Sequence, residues 1–441
     1  MITTMKIVEN NVSGPRSLVP KEDQNDRNFQ PNAWEFDVSI LELNDRGELV
    51  NAQLLDEILQ YIKFAREKNN NGVIVTLFAH GWHHGGDWND ANFVSFRKLL
   101  ASLCLREAER NDSGGSRGRR IIGIYLAWNG EPRECWLSKI PILKHASFSN
   151  RYEVAEKIGS EADLCKIFHS LIHTTKSPLK EKNDNIISPL IFAGHSMGAL
   201  IVESAFLSVL KADEATISDS RPRVKNDIIS LKRGNESILA PDLIIALNSA
   251  ADSEIAYKIK ELLEKKEWRR IAGTPDSGIC YDPPILISIT SLEDYDTGIA
   301  WRFARKFHMT DGHNPDLFTH IFTELQPEIC DPHSKSKKID FGQCWHCIRL
   351  PDPKLAKSPN FFIDLPIGGC HERTLKHMRY KLCSKTPDKS ELAWIFQIPG
   401  NLCQDHNDIF NPQMSSLMLA LISISGAVMS LANEWTETFE P

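Results

Sequence analysis

Short, unbroken apolar runs recur along this chain, with longer helical patterns between them. The runs are VIVTLFA (73–79), IIGIYLA (121–127), PLIFA (189–193), DLIIALN (242–248), PILISIT (284–290) and AWIFQI (393–398). A strand covered on both faces reads as a continuous apolar run, because neither face needs a polar set. An earlier segment, EFDVSILEL (35–43), alternates apolar and polar positions, the pattern of a half-buried strand. Leu54, Leu55, Ile58, Leu59, Ile62 and Phe64 fall at helical spacing within 54–68, and further helical stretches are predicted over 92–110, 152–174, 197–212, 253–267 and 413–432. Strand and helix in alternation predict an α/β fold, a mostly parallel central sheet with helices on both faces and right-handed crossovers.

Some segments break the alternation. Residues 1–33 are polar and carry Pro15, Pro20 and Pro31, which reads as a loose arm before a domain over 34–441. Residues 129–150 intervene between a strand and the next helix, and 213–240 read as a polar surface excursion. The largest exception, 298–392, far exceeds the usual connection of ~4–6 residues, so it is predicted to be an insert before the last strand, forming a lid or wall.

Composition narrows the picture. The chain has 441 residues, 41% hydrophobic and 25% charged, as a soluble globular protein does. A net charge of −7 argues against a general nucleic-acid binder. Arg117, Arg119 and Arg120 cluster in a Gly/Ser stretch and read as a solvated loop. The opening MITTMKIVENNVSGPRSLVPKEDQ lacks an apolar core with a cleavage site, and ten cysteines are too sparse for a disulfide scaffold, so thiols and a cytoplasmic location are expected. Met414–Asn433 is uncharged and close to the ~20 residues of a membrane span. Serines at 415, 416, 423, 425 and 430 interrupt it, which favours a buried helix over a membrane contact.

The chemistry starts at Gly194-His195-Ser196-Met197-Gly198, a G-x-S-x-G motif between an apolar strand and an amphipathic helix. A sharp strand-to-helix turn lifts a serine hydroxyl above the sheet, and glycines on either side let the chain crowd into that turn. The helix that follows aims its N-terminal amides at the site, with the Met197 N–H as one oxyanion donor. The run 73–79 ends in His80-Gly81-Trp82-His83-His84-Gly85-Gly86, where a second donor, the Trp82 N–H, belongs. His80 is expected to brace this loop, and His80, Gly81, His83 and His195 to border the substrate. His83 and His84 are adjacent and point apart, which disfavours a metal.

A serine hydroxyl needs a base steadied by a carboxylate, in the chain order Ser, acid, His on such a sheet. His406 is the only histidine beyond residue 377, and it follows the last strand. The acid belongs after 284–290, where Glu293, Asp294 and Asp296 compete, with Asp252 an outside candidate. Asp294 is the preferred choice; Asp405 and Asp408 are expected to shape the histidine's loop.

HGW after one strand, GHSMGA at the turn, SLEDYDT after a later strand and DHNDIF before the last helix together resemble the α/β-hydrolase superfamily over 73–432. Poorly characterised microbial and fungal members share HGW-H and S-x-x-D-x-x-T. The resemblance implies the α/β-hydrolase fold and the triad Ser196, Asp294 and His406, and leaves the substrate open. Within the insert, Cys330, His333, Cys344 and Cys347 have the spacing of a zinc knuckle, although buried thiols are the commoner explanation. The expected activity is hydrolysis of a small-molecule ester without a cofactor. A lipase or phospholipase acting at a membrane surface and a catalytically silent binding domain are the alternatives.

Overall fold

A computed structural model of the chain describes residues 2–8, 11–17, 35–69, 71–112, 118–130, 141–177, 188–216, 230–233, 236–251, 253–265, 269–270, 284–291, 294, 346–349, 362–365, 373–374, 379–384, 392–398 and 402–424. The first half runs β1 (Thr3–Val8), β2 (Asn11–Ser17), β3 (Glu35–Glu42), α1 (Ala52–Lys68), β4 (Val73–Ala79), α2 (Ala91–Asp112), β5 (Arg120–Ala127), α3 (Pro141–Ser160), α4 (Ala162–Lys176), β6 (Leu190–His195) and α5 (Met197–Thr216). The second half runs β7 (Ser230–Arg233), β8 (Glu236–Leu239), β9 (Leu243–Leu247), α6 (Ser253–Lys265), β10 (Arg269–Arg270), β11 (Leu286–Ser291), β12 (His346–Arg349), β13 (Phe362–Leu365), β14 (Arg373–Thr374), β15 (Arg379–Ser384), β16 (Ala393–Ile398) and α7 (Pro412–Ile424).

Seven strands in the order β16-β11-β9-β6-β4-β5-β3 are all parallel and form the centre of the molecule. Side-chain alternation along them feeds two cores. In β4, Val73, Val75, Leu77 and Ala79 join the residues of α1, α3, α4, α5 and α6, while Ile74 and Phe78 join those of α2 and α7. That double burial is why the apolar runs are unbroken. The helices therefore cover both faces, as the sequence predicts.

The order of the strands creates a switch point. From β4 the chain passes through α2, on one face, to β5 on the β3 side. From β6, the neighbour of β4, it passes through α5, on the opposite face, to strands on the other side. Connections leaving adjacent strands in opposite directions open a crevice at their carboxyl ends, where ligands bind in open α/β sheets. The HGW loop and Ser196 lie at these two strand ends.

Several expectations need correction. The alternating segment in β3 is not half exposed: Asp37 and Ser39 are buried. Asp37 accepts from Arg120 Nε and Nη2, both at 2.7 Å, and from Tyr61 Oη at 2.7 Å. The polar positions of this strand are thus spent on an internal ion pair. Arg119 and Arg120 are accordingly not a solvated loop, for Arg119 is also buried and donates through Nε to Glu107 at 2.9 Å; Arg117 lies outside the described residues. The helix predicted over 152–174 is two helices, α3 and α4, separated at Glu161, whose ψ of 143° is extended. Residues 3–8 and 11–17, read as part of a loose arm, form two antiparallel strands, the first of which also pairs antiparallel with β3. The described parts of 298–392 are mostly strands that continue the sheet beyond β16, and the rest of that insert lies outside the described residues. Of the segment 414–433, residues 414–424 are helical and the remainder lies outside the described residues. Among the described residues no helix is long and apolar enough to cross a membrane.

Candidate active site

Ser196 occupies the one-residue turn between β6 and α5 at φ 54°. A side chain other than glycine in this left-handed region carries a strain of about 1–3 kcal/mol, held only where surrounding bonds over-determine it. Those bonds are present. The Ser196 N–H donates to Leu247 O at 2.9 Å, and its carbonyl accepts from Ala199, Leu200 and Ala250 at 3.0, 3.2 and 3.1 Å. The flanking glycines are sterically required: a Cβ on Gly194 would stand 2.5 Å from Gly198 O, and one on Gly198 would overlap the carbonyl oxygens of Ala79 and His80. Ser196 is 1% exposed, and its Oγ has no hydrogen-bond partner among the described residues.

Asp294 follows β11, and its N–H donates to Ser291 O at 3.2 Å. Its two carboxylate oxygens lie 3.0 and 2.9 Å from Nδ1 of His406, a residue 112 positions later. Both side chains are buried. An ionised carboxylate only accepts, so the proton sits on Nδ1 and the Nε2 lone pair faces away from Asp294. Asp405 and Asp408 do not touch the imidazole; they accept from the Asn407 and Gln404 amides at 2.8 and 3.0 Å and shape the loop, as expected. Asn411 closes it by donating to Leu402 O at 2.7 Å and capping α7 through the Met414 N–H at 2.8 Å. The competing acids Glu293, Asp296 and Asp252 lie outside the described residues.

The HGW loop packs against Ser196. A Cβ on Gly81 would stand 3.1 Å from Ser196 Cβ and 2.8 Å from His195 Nδ1, so only glycine lets this backbone pass. His80 is fully buried. Its Nε2 accepts from the Trp128 N–H at 3.1 Å, and its Nδ1 donates to Gly81 O at 2.8 Å. Burial depresses the imidazole to about 4, against the raising effect of the Gly81 hydrogen bond, so the ring is neutral near pH 7. Holding the Gly81 carbonyl fixes the next peptide, and in a trans peptide the Trp82 N–H points the opposite way, away from His80. His83 is exposed, at φ 66°, with its ring 3.8 Å from that of Trp82.

His195 is held within the protein beside His406. It is buried and its Nε2 donates to the carbonyl of His406 at 2.8 Å. His84 is held between Asp90 Oδ2 at 3.0 Å and Asn92 Nδ2 at 2.6 Å. Burial alone would raise the Asp90 carboxyl, but the His84 contact and the Phe93 and Gly85 amides outweigh it and hold it at about 2. No group of three His, Cys, Asp or Glu able to hold a metal is found among the described residues. Cys330, His333 and Cys344 lie outside them, and Cys347 lies in β12.

Three residues other than glycine have positive φ among the described residues: His83, Ser196 and Asn248. They follow β4, β6 and β9, whose carboxyl ends meet at the switch point, so the backbone strain is concentrated at the candidate site. Asn248 was not singled out from the sequence. The available signal was an asparagine directly after an apolar strand, a residue that tolerates the left-handed region. Trp128, which locks His80, was also missed, because a tryptophan ending an apolar run reads as core.

Glu203 on α5 adds a buried charge beneath the site. Ser249 Oγ donates to it at 2.5 Å, and burial pushes its carboxyl up from 4.5 to about 7 in spite of that bond. The folded state therefore binds this proton more tightly than the unfolded chain, and stability should fall as pH rises from 4.5 to about 7. Glu203→Gln keeps the shape without the charge. Its urea unfolding free energy is expected to exceed the wild type's by about 1–3 kcal/mol at pH 8 and to converge with it near pH 4. A variant less stable than wild type at pH 8 would mean that the carboxylate itself is needed there.

Comparison with family models, with curated proteins and with solved structures finds no match for this chain.

Proposed function

We propose that this protein is a serine hydrolase that cleaves carboxylic esters through an acyl-enzyme, on a sheet of the α/β-hydrolase type. One observation carries the reading. A buried His406–Asp294 pair, with Nδ1 bound to both carboxylate oxygens, is assembled from distant loops at the same sheet edge as a strained, unpartnered Ser196. An idle glycine-rich turn has no need of that pair. The candidate set also falls at the carboxyl ends of β6, β11 and β16 in the chain order Ser, Asp, His.

In this reading Ser196 Oγ attacks the ester carbonyl carbon, and His406 Nε2 takes the hydroxyl proton. The negative charge that develops on the carbonyl oxygen is met by the Met197 N–H at the start of α5 and by the Trp82 N–H. Collapse of the tetrahedral intermediate expels the alcohol, which receives the proton from His406. Water then attacks the acyl-enzyme by the same steps in reverse order of partner, releasing the acid and restoring Ser196. Asp294 stabilises the imidazolium in both halves. The reading calls for no cofactor.

The test is turnover of nitrophenyl acetate against nitrophenyl laurate, with a fluorophosphonate probe to titrate the nucleophile. Hydrolysis of the short ester in free solution, and one equivalent of label on the Ser196 peptide, are expected. Activity confined to aggregated long-chain substrate would replace the esterase with a lipid-surface enzyme. A folded wild type that takes no label would remove the hydrolase reading altogether.

A further inference from the structure

We infer that Asn248 is a positioning residue, the clamp that sets the spacing between Asp294 and His406; this rests on the hydrolase reading of the site. Asn248 is buried at the carboxyl end of β9, at φ 43°. Its backbone N–H donates to Ile289 O at 2.8 Å, which seats it against β11. Its side chain then reaches both loops that carry the pair. Oδ1 accepts from the Ser291 N–H at 2.8 Å, at the start of the turn that presents Asp294. Nδ2 donates to the carbonyl of His406 at 3.0 Å. Ser291 adds a strut of its own, its Oγ donating to Cys403 O at 2.6 Å in the histidine's loop.

The chemistry of the carboxamide matters. One end must accept from an amide and the other must donate to a carbonyl, about 2 Å apart on a planar group, which asparagine alone supplies at this length. The His406 carbonyl has a second donor, His195 Nε2 at 2.8 Å. The backbone of His406 is thus fastened to the strand ends of β6 and β9, which fixes where its ring meets Asp294. Two loops 112 residues apart have no local reason to hold that register. Mounting both on one side chain of a central strand provides the reason.

The experiment uses the full chain and two variants. Asn248→Gly removes the carboxamide while keeping a residue suited to positive φ. Asn248→Asp keeps the acceptor for Ser291 but turns the donor facing His406 O into a second acceptor. In both, fluorophosphonate labelling of Ser196 is expected to slow about 10–100-fold, the usual cost of losing an outer support of a reacting group. Introduced on top of Asp294→Ala, Asn248→Gly should cost less than about threefold more, because the spacing it secures no longer matters. Multiplicative losses would point to a general structural role and overturn the inference, as would labelling of either folded variant at the wild-type rate. A second readout does not depend on turnover. In ¹⁵N-histidine spectra, the Nδ1 proton assigned by its absence in His406→Gln should shift or broaden in Asn248→Asp. A signal unchanged from wild type would overturn the clamp even if the serine proved unreactive. No label on the wild type with an Asn248-sensitive Nδ1 signal would instead leave the clamp standing and end the hydrolase reading.

Discussion

Ser196→Ala is expected to lower ester turnover and fluorophosphonate labelling by on the order of 10⁴-fold or more while leaving the fold intact. In the proposed reading the magnitude follows from losing the attacking atom of a group that acts as a unit; what would remain is the contribution of binding and oxyanion donors. The stability side of the prediction comes from the structure. Ser196 Oγ makes no hydrogen bond among the described residues, so its removal leaves no partner stranded. The backbone bonds to Leu247, Ala199, Leu200 and Ala250 are untouched. Alanine inherits the same positive φ and the same strain. The unfolding free energy in urea should therefore stay within about 0.5 kcal/mol of wild type. Activity retained in this variant, measured on protein with a normal unfolding curve, would transfer the nucleophile elsewhere.

Gly198→Ala is expected to be the most damaging single methyl in the described molecule. Replacing a helical glycine by alanine ordinarily gains about 1 kcal/mol, because alanine is the better helix former. At Gly198 the new Cβ would overlap the carbonyl oxygens of Ala79 and His80 and the Ala79 carbonyl carbon. These are backbone atoms of the end of a central parallel strand and cannot swing aside. The start of α5 would have to lift away from β4, carrying Ser196 from Gly81. A net loss of about 4 kcal/mol or more is expected, in the range reserved for overpacking at a rigid site. Gly85→Ala is the control, since nothing lies within 4 Å of its Cβ position. It should change stability by no more than about 0.5 kcal/mol. A Gly198→Ala protein as stable as wild type would mean that helix and strand are not packed as described.

How much of this was readable in advance depended on range. The six unbroken runs all became parallel strands, since burial on both faces leaves a local mark on composition. The turn at Ser196 was readable because its glycines answer a clash with atoms a few residues away or in the neighbouring strand. Polarity misled where charges pair internally. Asp37 and Arg120 lie 83 positions apart, so neither segment by itself reveals that the other neutralises it. The hydrogen bonds of His80 and His195 were unreadable for the same reason. Their hydrogen-bond partners, Trp128 and the His406 carbonyl, are 48 and 211 positions away.

By itself, then, the sequence determined the α/β alternation, the strained serine between strand and helix, and the presence of a histidine and several carboxylates after later strands. These depend on periodicity, on glycine and on residue type, which are local properties of the chain. The tertiary structure decided which carboxylate meets the histidine, which groups His80 and His195 bond, and that Asn248 joins the two loops. Those outcomes depend on the lateral order of strands in the sheet. Parallel strands are joined by crossovers that leave order and register to packing across the whole domain, and no short stretch of sequence records them.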